Sequence, residues 1–318
     1  MRADVHQRIG SVTKTFTAAL LMQLVGEGKL SLDDTIGKYI GGVPNGDAIT
    51  LRQVAGMTSG VASYTKNPAF VKALFAHPRR TWRPREVMEI GLKDSPDFPP
   101  GTQFEYSNTN FIMLGLVIEQ VERKRIGAVL RERIIDPLRL KGTSWPGGSR
   151  RLPTPHAHGY TLQGQAGDTP VDATTWSTSA EWTAGQLIST VDDLLVYGRA
   201  TATGKGLLKP AEQRVRLEFP TTPPPLGRRL SYSIGLVSDR GWIGHTGQVP
   251  GFTTTVYHHP AIDTTVVVEA NSDISTGACR GKETLAPDPI SKPCANPADR
   301  IMGAIARSLG RPYQLPPG

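Results

Sequence analysis

The chain has 318 residues, enough for one large or two medium domains, with 36 Lys and Arg against 28 Asp and Glu for a net charge of +8. The basic residues are scattered as short groups (Arg79-Arg80, Arg123-Lys124-Arg125, Arg150-Arg151, Arg228-Arg229) with no aromatic-basic motif, which reads as a solvated surface and not as a nucleic-acid site. No apolar run reaches the roughly 18 residues of a membrane span, and without a dinucleotide fingerprint or phosphate loop no cofactor is expected.

In chain order, the first element is a helix over residues 16–25, apolar on nearly all sides and therefore buried, with Gly26 and Gly28 as its stop. Ser11 and Lys14 stand at its start, three apart, so their side chains share one face. A serine hydroxyl needs a neighbour to take its proton, and Lys14 is placed to be that neighbour or part of it. The first turn also offers free N–H groups to developing negative charge. The plainer alternative makes Ser11 a helix cap and Lys14 a solvated charge. The same spacing recurs at Ser63 and Lys66, but there Pro68 disfavours a helical Asn67, so this copy is expected to be a decoy.

Next, PGTQFEYSNTNFIMLGLVIEQV sets Tyr106, Ser107 and Asn108 ahead of an apolar helix. Residues two apart in extended chain point the same way, so Tyr106 and Asn108 should face one cavity and Ser107 another direction. A lysine beside the phenol favours its ionisation, and Asn108 can orient both a lysine and a substrate amide. Ser107 or Asn108 could equally cap the helix. Residues 145–172 read as irregular; His156, His158, His258 and His259 lack metal-ligand partners, so no metal is expected and solvated rings are. Trp176 and Trp182 are candidates for a cleft or for the core.

Trp242 and Ile243 then read as a short strand leading to His245-Thr246-Gly247, with two β-branched strands over 252–257 and 264–269 joined by a hairpin at 259–263. Gly247 would let a substrate backbone approach a sheet edge with free N–H groups. A lone His245 would be an ordinary half-buried strand histidine.

Taken together, the contexts RIGSVTKTFTA, PGTQFEYSN and GHTGQVPGF, with ITLRQVAGMTSG and TAGQLISTVDDL between them, resemble the serine β-lactamase and penicillin-binding superfamily. Within it the chain is most similar to the class C β-lactamase-like branch and its serine DD-carboxypeptidases of actinobacterial type, over residues 8–270. The resemblance implies an α+β fold: an antiparallel sheet flanked by helices (residues 1–32 and 226–318) and a mostly helical lobe (33–225), forming one catalytic domain over 1–318. Family members carry a helix and a β-hairpin before the serine. With ten residues ahead of Ser11 these N-terminal strands are expected to be missing, together with an export signal, and the true start to lie upstream.

The resemblance also implies an acyl-enzyme hydrolase with catalytic Ser11, Lys14 and Tyr106 and substrate-binding Asn108, His245, Thr246, Gly247 and Gln248. The backbone N–H groups of Ser11 and Gln248 would form the oxyanion hole. Histidine at 245 resembles the peptidase and esterase members, whereas class C β-lactamases carry lysine there. Gln248 replaces a threonine that helps hold the substrate carboxylate in the peptidases; Thr246 remains, and Arg228, Arg229 or Arg240 could compensate. The leading expectation is a D-alanyl-D-alanine carboxypeptidase-like enzyme acting on peptidoglycan stem peptides, with β-lactams as acylating inhibitors. The alternatives are an esterase or amidase of the same branch and a non-catalytic envelope binding protein. The usual extracytoplasmic location of the family favours a Cys279–Cys294 disulfide over two free thiols. The sequence sets no oligomeric state.

Overall fold

A computed structural model of the chain describes residues 2–219, 230–275 and 296–313. Its centre is helix α1 (Thr13–Gly26), which buries residues on every side from Thr13 to Leu24. Such all-round burial is what an uninterrupted apolar run with no polar stripe dictates. The helix ends at Gly26, and Gly28 follows in the left-handed conformation (φ +69°), as the glycines foretell.

Two pairs of short strands sit apart from the main sheet: β1 (Gln7–Arg8) pairs with β4 (Ile188–Ser189), and β2 (Tyr160–Thr161) with β3 (Val171–Asp172). The main sheet is an antiparallel meander of β5 (Leu230–Ser233), β6 (Leu236–Asp239), β7 (Trp242–Val249), β8 (Phe252–His259) and β9 (Thr264–Ala270), in that order. The second and third strands and the hairpin lie where the sequence sets them. The first, expected as a two-residue strand, instead runs through the whole His245-Thr246-Gly247 motif. Its register with β8, from Ile243↔His258 to Val249↔Phe252, explains the extension. Thr253, Thr254 and Thr255 give the facing strand a β-branched run that continues the ladder.

The helical part comprises α2 (Leu51–Ala55), α3 (Pro68–Ala76), α4 (Pro84–Lys93), α5 (Asn108–Glu122) and α6 (Ile126–Leu130). Then follow α7 (Trp182–Gly185), α8 (Val191–Thr203), α9 (Pro210–Arg216) and α10 (Pro297–Ser308). Helix α8, from the stretch assigned to the helical lobe, packs on β8 and β9 beside α10, and α9 packs on α1. The close approach of α8 rests on Gly198, where a Cβ would lie 2.8 Å from Val256 and 2.9 Å from Thr265. Pro68 does not end the local structure. Asn67 stays extended and accepts from the amides of Ala69 and Phe70, so Pro68 opens α3 as its first residue. His258 and His259, expected in solvent, are covered: His258 Nδ1 is 3.0 Å from Thr265 Oγ1, and His259 packs on Trp242 at 5.1 Å. No described helix is long and apolar enough to cross a membrane. Cys279, Cys294, Arg228 and Arg229 lie outside the described residues.

Candidate active site

Ser11 lies in a 3-10 turn (Gly10–Val12) immediately before α1, half-buried, while Lys14 is fully buried. The Lys14 Nζ is 2.9 Å from Ser11 Oγ, 2.7 Å from Asn108 Oδ1 and 2.7 Å from the carbonyl oxygen of Ala184. Burial pushes its pKa well below the ordinary lysine value, with only a Coulombic contribution from Glu181 opposing. A neutral amine has two N–H donors and one lone pair. Since the Asn108 and Ala184 oxygens can only accept, they take both donors and leave the lone pair for the Ser11 hydroxyl proton.

Tyr106 and Asn108 line one cleft with Ser11, as the two-residue spacing requires. Ser107 occupies the N-cap position of α5, but its hydroxyl makes no capping bond and is buried without a partner. The Lys14 Nζ sits 4.9 Å from the Tyr106 ring centroid, and that ring leans on Tyr232 and His245, each at 6.2 Å. His245 is buried behind Tyr106, with its pKa lowered to about 3 by burial first and then by Lys14. It is therefore a neutral packing and hydrogen-bonding group at pH 7. Just past the third motif, Gln248 lines the cleft, with Val249 and Pro250 beside it, while His245 and Thr246 are buried.

Gly247 serves the protein's own backbone and not a substrate's approach. A Cβ there would fall 2.0 Å from the Ile9 carbonyl oxygen and 3.0 Å from the Ser11 nitrogen, while one on Gly10 (φ +50°) would fall 2.6 Å from the Gln248 nitrogen. The two glycines thus let the nucleophile's turn press against β7 and bring the Ser11 and Gln248 amides to the same place.

The decoy copy separates as expected: Lys66 is drawn to Glu105 and Asp97 at the surface, while Ser63 is buried. Its residues nonetheless serve the site. Ser63 Oγ accepts from the Asn108 amide at 3.1 Å, and Thr65 Oγ1, itself on the cleft, accepts from Asn108 Nδ2 at 3.2 Å. Trp176 packs on Phe75 and Trp182 on Trp145, and neither lines the cleft.

Several cleft residues escaped the sequence reading, among them Thr65, Gln163 and Glu181. One signal was present for the last: Glu181 is the only charged residue between Asp172 and Asp192. It precedes α7, whose Ala184 carbonyl holds Lys14, and Gly185 leaves room for its side chain, since a Cβ there would be 2.9 Å from Glu181 Cβ. The described lining carries no cationic side chain. Arg240, named as a possible compensating cation, lies instead at a separate hollow with Arg311. No group of three or more His, Cys, Asp or Glu among the described residues is placed to hold a metal ion.

Comparison with known proteins shows the family and the fold. The Beta-lactamase family profile matches residues 1–286. Among solved structures, the D-stereospecific amidohydrolase from a Streptomyces species superposes with a TM-score of 0.80 at 33% identity, covering 85% of this chain and 83% of that one. Protein flp of Staphylococcus aureus (strain MW2) is 26% identical over 274 residues, 83% of this chain and 52% of its own length. The D-alanyl-D-alanine-carboxypeptidase/endopeptidase AmpH of Escherichia coli (strain K12) is 32% identical over 157 residues, 47% of this chain and 40% of its own. The chain thus spans about half the length, or less, of the curated relatives it matches.

Proposed function

The chain belongs to the beta-lactamase family of serine hydrolases, and on that footing we propose that it is an amidohydrolase that cleaves an amide or peptide bond through an acyl-enzyme on Ser11. The observation that carries this reading is Lys14: a fully buried amine, 2.9 Å from the Ser11 hydroxyl, whose two other neighbours are carbonyl oxygens.

Ser11 Oγ attacks the substrate carbonyl carbon and gives its proton to Lys14, with Tyr106 sharing the transfer as one coupled pair. The carbonyl π electrons move onto oxygen, which the Ser11 and Gln248 amides receive; such donors supply on the order of several kcal/mol to the transition state. The C–N bond then breaks as the pair returns the proton to the leaving amine, and water reverses the sequence to release the acid. Asn108 holds Lys14 throughout, and His245, Thr246 and Gly247 support the wall and the turn.

For the substrate, the similarity to a D-stereospecific amidohydrolase and the lack of a described cation in the cleft favour an amidase. A carboxypeptidase must hold a terminal carboxylate, which Gln248 and Thr246 would have to do without an adjacent positive charge. The similarity to AmpH supports that second reading, the D-Ala-D-Ala peptidase. Stem peptides, the substrates of the second reading, belong to the cell envelope, and an extracytoplasmic location is part of the proposal, to be checked by fractionation.

The test is intact-protein mass spectrometry after mixing with D-alanine p-nitroanilide and, separately, benzylpenicillin. An acyl adduct or turnover is expected with the parent and with Lys66→Ala, and neither with Ser11→Ala. Equal loss in Lys66→Ala and Lys14→Ala would remove the assignment of the nucleophile.

A further inference from the structure

The cleft holds more hydrogen-bond acceptors than the acyl transfer uses. Glu181 and Gln163 both line it with Ser11 and Tyr106, and neither Glu181 Oε2 nor Gln163 Oε1 has a hydrogen-bond partner. The orientation of the Gln163 amide is fixed, because its Nε2 donates to the buried Asp273 carboxyl, leaving Oε1 as the free end. Buried acceptors without donors are unfavourable, so two of them lining one cleft call for a ligand group rich in N–H donors. With no described cation in the lining, Glu181 is also the only carboxylate facing the substrate's space.

We propose that Glu181 and Gln163 form a subsite for the free ammonium group of the substrate, so that the enzyme takes aminoacyl amides or peptides with an unblocked amino terminus. The proposal rests on the amidohydrolase reading for the position of the scissile bond, but the subsite itself is defined by these two acceptors. An ammonium supplies three donors and a full positive charge, matching one carboxylate oxygen and one amide oxygen. A terminal carboxylate there would face like charge, whereas an acylated amine would offer one N–H and no charge.

The electrostatics of the empty cleft fit. Burial raises the Glu181 pKa to about 7, against the opposing pull of its own backbone amide, Arg8 and Lys14. Arg8 donates through Nη1 and Nη2 to Thr178 Oγ1 and to the carbonyl oxygens of Arg150, Thr174 and Trp176, while its Nε is without a hydrogen-bond partner. Lys14 is likewise engaged by Asn108, Ala184 and Ser11, and neither Arg8 nor Lys14 comes within ion-pair distance of Glu181 among the described pairs. The groups that face Glu181 are thus Arg8, Lys14 and the Tyr64 phenol. A bound ammonium would be its first direct counter-charge and would favour the ionised carboxylate.

The experiment separates this subsite from catalysis by measuring binding to the Ser11→Ala variant, with D-alaninamide and N-acetyl-D-alaninamide titrated calorimetrically at pH 7. The free amine is expected to bind at least about tenfold tighter, and Glu181→Gln in the same background to abolish that preference while leaving the acetylated compound within about threefold. A second readout needs no further variant. Binding of the free amine should strengthen as pH rises from 5.5 towards about 7, where Glu181 ionises, while the acetylated compound stays flat. Equal binding of the two compounds, or a preference that survives Glu181→Gln, overturns the subsite. Failure of the parent to hydrolyse any amide, with the binding preference intact, would count against the hydrolase reading alone.

Discussion

Lys14 shows how a single side chain is turned from a cation into a base. It has no carboxylate bonded to it, is fully buried, and is held by two carbonyl oxygens and one hydroxyl. Burial without ion pairing lowers its pKa, so the amine form that must accept the serine proton is reached well below the pH at which a free lysine would supply it. The sign is definite: activity requires the unprotonated form and is lost as pH falls through the pKa of the Lys14–Tyr106 pair. With an uncharged ester as substrate, kcat/KM should reach half its plateau well below pH 10.5, the ordinary lysine value. A limb that climbs only near pH 10 would show that burial does not tune this lysine. Tyr106→Phe removes the shared proton carrier but keeps the ring against His245 and Tyr232. It should lower kcat by about 10²–10⁴ and leave the thermal midpoint nearly unchanged.

At the scale of elements, the site is a meeting of four pieces: the turn before α1, the start of α5, the short α7 and strand β7. The turn and the strand are fitted to each other with almost no clearance at Gly247 and Gly10. Gly247→Ala would drive a methyl group into the Ile9 carbonyl, where backbone and not a flexible side chain must yield. Overpacking of this kind is unfavourable by about 1–3 kcal/mol. It should also displace Ser11 relative to the Gln248 amide, so turnover should fall by more than stability alone explains. A control such as Gly41→Ala, where a Cβ meets nothing within 4 Å, should do neither. Two pairs were legible because their spacing is local. Three residues bring Ser11, in the turn before α1, beside Lys14 in the first turn of α1, and two bring Tyr106 to the same cleft as Asn108, the first residue of α5. Glu181 and Gln163 were not, because they reach the cleft through irregular chain whose path no periodicity encodes. Thr65 was hidden inside a spacing that reads as a false copy of the nucleophile motif. Strand β7 was read too short because Gly244, Gly247 and the polar residues between them look like a loop until the threonines of β8 pair with them.

Across the whole molecule, an excess of surface cations coexists with an interior that buries charges of both signs. Arg8 and Arg216 are buried guanidinium groups, Lys14 is a buried amine, and Glu269, Asp273 and Asp299 are carboxyls that burial holds above their ordinary range. These groups act on stability in opposite directions. His245 and Lys14, whose pKa values are lowered, penalise the fold as pH falls and they are forced to charge. The carboxyls penalise it as pH rises. Glu269 on β9 is the clearest case, since burial is the sole cause of its rise from 4.5 to about 8, and its Oε1 has no hydrogen-bond partner. Below about pH 4.5 the group is protonated in both folded and unfolded chains and contributes nothing to the difference. Between 4.5 and about 8 the unfolded chain releases the proton and the folded one keeps it, so stability is lost steadily. Above that window the folded state carries the penalty of a half-buried carboxylate. Glu269→Gln keeps the shape and removes the titration. The variant should match the parent in urea midpoint near pH 4.5, grow more stable than it as pH rises, and hold a constant advantage above about pH 8. Each tenfold difference in proton affinity between the folded and unfolded chains is worth about 1.4 kcal/mol, so the advantage should be on the order of a few kcal/mol. A gap independent of pH would mean that Glu269 finds a counter-charge or water in the folded state, and the balance between buried acids and bases would then have to be redrawn around β9.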